Sequence, residues 1–241
     1  MAEETDTASL NKAIEALKTY EWGTEIAALE PIDKAVQAAY GNSAGRKELE
    51  SKLAPVLNSN APRAAKDFVC RKLALVGTAQ SVPALSGLLA NEELSHMARY
   101  ALERIPGPEA GKSLRDALPK TQGKSKIGVI YSVGLRRDSA AAARLATLLK
   151  AEAPDVAAAA ARALGQIGNS AAAKALGGYR QSAPKEVQRA AADACLRCAE
   201  RLAASGKRDE AVAMLRPLAM KEQPASVRRA AERALSAGER S

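Results

Sequence analysis

The chain has 241 residues, 47% of them apolar but only 3% aromatic, and a formal net charge of +9. It contains no run of about 18 apolar residues, which excludes an evident membrane-spanning helix. Its three cysteines, Cys70, Cys195 and Cys198, are too few and too odd a set for a disulfide framework.

Residues 1–45 carry Lys12, Lys18 and Lys34 against eight acids, so the whole basic excess lies in the rest of the chain. A basic body behind an acidic leading end favours acidic or polyanionic partners, and it also fits a plain solubility role. The start, Met1-Ala2-Glu3-Glu4-Thr5-Asp6, is acidic and polar, the reverse of a secretory signal. The chain is therefore expected to lack an export signal. Cytoplasm is the default compartment, and an extracytoplasmic one would follow from removal of a leader.

In residues 1–45, Leu10, Ala13, Ile14 and Leu17 have helical spacing, as do Ile32, Val36 and Ala39 before Gly41-Asn42. This pair reads as an N-terminal helical cap, with Trp22, the only tryptophan, expected to plug the open end of the core. Arg46 to Gly77 then hold one helix through Leu49, Leu53, Val56 and Leu57, a turn at Asn58–Pro62 and a return over Ala64–Val76. Thr78 to Pro106 repeat the plan, with Pro83 suited to a first helical turn. The third unit runs over Glu109–Leu118 and Lys126–Leu135, joined by the basic stretch Pro119–Ser125. The fourth, Ser139–Gly168, is the most regular. In the fifth, the first helix is expected to break at Gly177-Gly178 and the second, Val187–Leu202, to be unusually long. Glu210–Leu218 and Ser226–Leu235 make the last pair, followed by a frayed tail, Gly238–Ser241.

Two ladders of large apolar residues share a period. Leu73, Leu102, Val133, Leu164, Leu196 and Leu235 precede the helix-ending turns, and Leu53, Leu85, Leu114, Leu145, Leu176 and Leu215 mark the preceding helices. Both ladders step by 29 to 32 residues and then by 39, so one lengthening late in the chain explains both. A two-helix unit of this period implies an all-α α-solenoid of stacked antiparallel helix pairs. About six repeats follow the cap at 1–45. They fall near 46–77, 78–107, 108–138, 139–168, 169–207 and 208–241, together forming one structural domain.

Val82-Pro83-Ala84-Leu85-x-x-Leu88-Leu89 and Ala161-Arg162-Ala163-Leu164-Gly165-x-Ile167-Gly168 resemble HEAT-like repeats of the phycobilisome-lyase type. The resemblance spans roughly residues 46–235 and is strongest from 78 to 176. Pro106 stands where that pattern has glycine, Arg136-Arg137 occupy the equivalent turn, and the last two units lack the LGxIG ending. The resemblance implies a right-handed α-solenoid (superhelix) that binds proteins or other large ligands and does not imply lyase activity.

Nothing in the sequence assembles a catalytic, cofactor or metal set. His96 is the single histidine and sits at a helix start, where an exposed polar role suits it. Cys195 and Cys198 have CxxC spacing but lie within a helical run, and they supply at most half a zinc site. Gly123-Lys124-Ser125 resembles the end of a phosphate-binding loop, yet Leu118 stands where its leading glycine belongs and no strand precedes it.

The strongest surface signal lies two residues before the first ladder: Arg71, Tyr100, Tyr131, Arg162, Ala194 and Arg233. In a solenoid these positions form a column along the concave side, with Arg99 and Arg104 on adjacent columns and Lys66, Lys126, Arg189 and Arg228 on another. Arg and Tyr suit recognition of carboxylates, phosphates or peptides. The alternative is tyrosines in the core and arginines merely coating the helices. The expected function is a non-enzymatic protein-interaction scaffold. Its basic concave face would be lined by Arg71, Arg99, Tyr100, Arg104, Tyr131, Arg162 and Arg233, and its partner would be an acidic or extended protein or peptide. Contact with nucleic-acid phosphates is the second reading and a lyase-like enzyme the third. No cofactor, metal or membrane insertion is expected.

Overall fold

The structure, a computed structural model, describes residues 2–150 and 153–238. Most of the tail expected to fray, Glu239–Ser241, lies outside them. Among the described residues are fourteen α-helices, three short 3-10 turns and no strand. The chain is an all-α solenoid of helix pairs. It divides into two compact units, Met1–Val129 and Ile130–Ser241. The division falls inside α8 (Gly123–Leu135).

In the first unit, α1 (Ala2–Ala16) packs on α2 (Glu30–Ala38), burying Ala13, Leu17, Leu29, Ile32 and Ala39. From there the chain alternates between two layers. The first helices, α3 (Ser43–Leu57), α5 (Val82–Gly87) and α7 (Pro108–Ala117), stack on one another. The second helices, α4 (Arg63–Val76) and α6 (Ser95–Leu102), form the other layer, with α2 against α4. Asn42 caps α3 by accepting from the amides of Ala44 and Gly45, and Pro83 and Pro108 sit in first turns that need no amide donor. Lys52 Nζ donates to Asn11 Oδ1 at 2.9 Å, and Lys72 pairs with Asp33, so the leading helices are tied to the repeats.

Trp22 does not plug the core. It lies on a turn ending at Gly23 (φ 91°) and is 56% exposed, with the Arg63 guanidinium 5.3 Å from its ring centroid. The buried aromatic is Phe68, met by Tyr20 at 6.2 Å between centroids and by the Lys72 ammonium at 4.5 Å.

Glu50 is a charged residue at the heart of this unit, only 1% exposed. Its carboxylate accepts from the Thr78 amide (2.8 Å), the Thr78 hydroxyl (2.7 Å), the Ser81 amide (2.8 Å) and the Ser81 hydroxyl. Glu50 on α3 thus satisfies the orphan donors where the chain enters α5, a cap delivered across 28 residues of sequence.

In the second unit, α10 (Pro154–Ile167), α12 (Lys185–Ala204) and α14 (Ala225–Gly238) follow one another in one layer. The other layer holds α9 (Ala142–Leu148), α11 (Ser170–Ser182) and α13 (Arg208–Leu215). Helix α10 starts with proline and Asp155, continues in alanine and ends at Gly168, whose left-handed φ of 61° closes the last turn. Its seams are set by small residues. A β-carbon on Gly134 would lie 2.8 Å from Ala163 Cα, and one on Gly165 would lie 2.7 Å from the Ala194 carbonyl oxygen. Backbones therefore meet directly from α8 to α10 and from α10 to α12.

Both ladders are buried for most of their length: Leu53, Leu73, Leu85, Leu102, Leu114, Val133, Leu145, Leu164 and Leu176 are all at 0% exposure. The register slips by one in the fifth unit. Leu196 is only half-buried, whereas Cys195, 31 residues after Leu164, is buried. The glycine seam fixes this register, because Gly134 meets Ala163 as Gly165 meets Ala194. Two other expectations need correction. Helix α11 runs unbroken through Gly177-Gly178, and α8 already begins at Gly123 within the stretch read as a connection. At 20 residues, α12 is the long helix that lengthens the late spacing.

Candidate binding groove

The predicted partner-binding residues fall into two groups, one in each unit. In the first unit they are engaged with their own chain. Arg71 is exposed but its guanidinium pairs with buried Asp67 at 2.7 Å. Arg104 lies over the Tyr100 ring at 3.6 Å and donates to the Tyr100 carbonyl at 2.9 Å. Arg99 is half-buried across the open surface of Gly128 and donates to its carbonyl oxygen at 3.2 Å. Burial lowers the Arg99 pKa, against an opposing pull from Glu103. Gly128 makes room for this side chain, since a β-carbon there would lie 2.4 Å from the guanidinium carbon.

In the second unit, Tyr131 and Arg162 come together on a cavity of about 440 Å³. Its walls are Tyr131 and Leu135 of α8, Arg162 of α10, and Asp193, Leu196, Arg197 and Glu200 of α12. Ala163 and Ala194, both buried, form the floor, and Gln166 of α10 completes the lining. Tyr131 is 59% exposed and Leu135 47% exposed, so an aromatic ring and an aliphatic side chain are both open to a partner. The charged groups of Arg162, Asp193, Arg197 and Glu200 are exposed and make no ion pair or hydrogen bond among the described residues.

The one-residue shift changes the chemistry of the column. Ala194, placed there by counting from Leu196, is buried; the equivalent outward position is Asp193. Asp193 was missed for this reason; Arg197 and Glu200, at i+4 and i+7 from it, share its helical face. Arg233, the last predicted member, is exposed on α14 and does not line this cavity.

The thiols carry no evident chemistry. Burial, with Asp67 nearby, pushes Cys70 up to about 12; burial, partly offset by Arg180, pushes Cys195 to about 11. Cys198 rises to about 12 through burial and the neighbouring Cys195 and Glu210. Thiolate is therefore scarce near neutral pH in all three. Among the described residues no group of three or more His, Cys, Asp or Glu could hold a metal ion, and no helix is long and apolar enough to cross a membrane.

Residues 123–197 match the family model for HEAT repeats, a span that contains most of this cavity. No curated protein matches the chain in sequence. Among the solved structures similar to it are the following three. An engineered protein is 23% identical, with 87% of this chain and 96% of that one covered and a TM-score of 0.43. Human deoxyhypusine hydroxylase in complex with glycerol is 14% identical, with 100% and 99% covered and a TM-score of 0.38. A designed armadillo repeat protein in complex with the peptide (KR)4 is 18% identical, with 95% and 99% covered and a TM-score of 0.35. Likenesses this distant bear on neither the site nor its chemistry. The helix pairs and the family match together make residues 123–197 a run of HEAT-like repeats within the all-α solenoid.

Proposed function

We propose that the chain is a protein-interaction scaffold that works by binding rather than catalysis and holds a protein or peptide segment in the groove of its second unit. One observation carries this reading: an open tyrosine and four unpaired charged side chains surround a floor of alanine. Exposed charges usually find local partners or stay scattered. Here two of each sign converge on one cavity beside apolar surface, the composition of a polar rim around an aromatic anchor. In the first unit, Arg71, Tyr100 and Arg104 would have to leave existing contacts to bind a partner, so the reading centres on Tyr131 and Arg162. The division into six repeats behind a cap at 1–45, and the phycobilisome-lyase subtype of repeat, belong to the same proposal and rest on the motifs at Val82–Leu89 and Ala161–Gly168.

A photo-crosslinking amino acid at position 131, introduced into the full chain in its native cell, tests the proposal. The expected result is a discrete protein adduct that is absent when the same group replaces Met220, which is exposed elsewhere in the unit. Adducts only to nucleic acid, or none, would overturn it.

A further inference from the structure

We infer that this groove selects an extended peptide of mixed charge, in which an apolar side chain is flanked by one acidic and one basic residue. The inference rests on the binding reading above and specifies the chemistry of the partner. The second-unit column is not basic: Asp193 follows Tyr131 and Arg162 in it. On α12, Asp193, Leu196, Arg197 and Glu200 are spaced i, i+3, i+4 and i+7 and so share one face. That face offers acid, apolar surface, base and acid in order, with Arg162 of α10 in the same lining. A polyanion would neutralise Arg162 and Arg197 but would bring its remaining charges against Asp193 and Glu200. A polycation meets the converse conflict. Only a ligand with both signs pairs all four groups, and the unpaired alternatives provide the discrimination.

The floor sets the backbone conformation. Packed helices lie about 8–10 Å apart, and the contact of Gly165 with the Ala194 backbone holds α10 and α12 near the short end of that range. A partner helix with its side chains is about 10–12 Å wide and would ride on the walls. An extended segment occupies only about 5 Å laterally and reaches the alanine floor. It can then lay its apolar side chain against Tyr131, Leu135 and Leu196.

The test is selection of a displayed library of random nine-residue peptides on the full-length protein, followed by binding measurements with the enriched peptides. The expected pool combines an acid and a base around an apolar residue. Its best member should bind the Arg162→Glu variant at least tenfold more weakly, and exchanging that peptide's acid for lysine should restore binding. Circular dichroism should be unchanged, because Arg162 is exposed. An acid-only, base-only or uncharged pool overturns the inference, as does no enrichment over the Arg162→Glu variant. Protein adducts from position 131 would still stand in that case, which separates this failure from failure of the scaffold reading.

Discussion

Replacing Glu50 with alanine is expected to destabilise the first unit by about 3–5 kcal/mol, since each buried donor left without a partner costs about 1–3 kcal/mol. The substitution removes the acceptor for two amides and two hydroxyls at Thr78 and Ser81, and Ser81 is fully buried. Water cannot easily replace a carboxylate in so closed a position. Glu50→Gln keeps one acceptor oxygen and turns an amide group toward the remaining donors, so its loss should be intermediate. Hydrogen exchange of the Thr78–Leu85 amides, together with denaturant unfolding followed by circular dichroism, measures both effects. Wild-type protection in the alanine variant would show that the carboxylate is not what holds the start of α5.

Gly165→Ala should cost the second unit about 3 kcal/mol, the upper part of the range for overpacked sites. The added carbon meets the backbone of Ala194 at 2.7–3.2 Å, and backbone cannot swing aside as a flexible side chain can. The same substitution at Gly177, which has nothing within 4 Å, serves as the control and should be neutral or slightly stabilising. Forcing α10 and α12 apart also displaces Arg162 from the α12 charges, so peptide binding should fall along with the melting temperature. A variant as stable as wild type would mean that the seam between these helices is looser than the close contact implies.

Much of the fold could be read from the sequence because the repeat is written in large apolar residues, and nearly every rung is buried. The register failed in the fifth unit, where cysteine fills the core position and a leucine beside it is half-exposed, and the last rung, Leu235, is also only half-buried. Cysteine behaves as a small hydrophobe, so a search for large side chains passes it by. Gly177-Gly178 did not break α11 because packing against α9, α12 and α13 outweighs the weak helix propensity of two glycines. The site was less legible. Sequence places Tyr131 and Arg162 one repeat apart, but only coordinates show that Arg99 is turned onto Gly128 and that Arg104 lies over Tyr100. Such pairings depend on which side chains have room, and spacing does not encode that.

The outward-facing Trp22 decides how this molecule can be followed optically. Its indole is already largely hydrated in the native state. Intrinsic fluorescence should therefore emit near the red limit and shift little on denaturation, while the far-ultraviolet helical signal collapses. Quenching by iodide should be strong before any denaturant is added, and for the same reason the emission senses events at the leading helices and is blind to the melting of the later repeats.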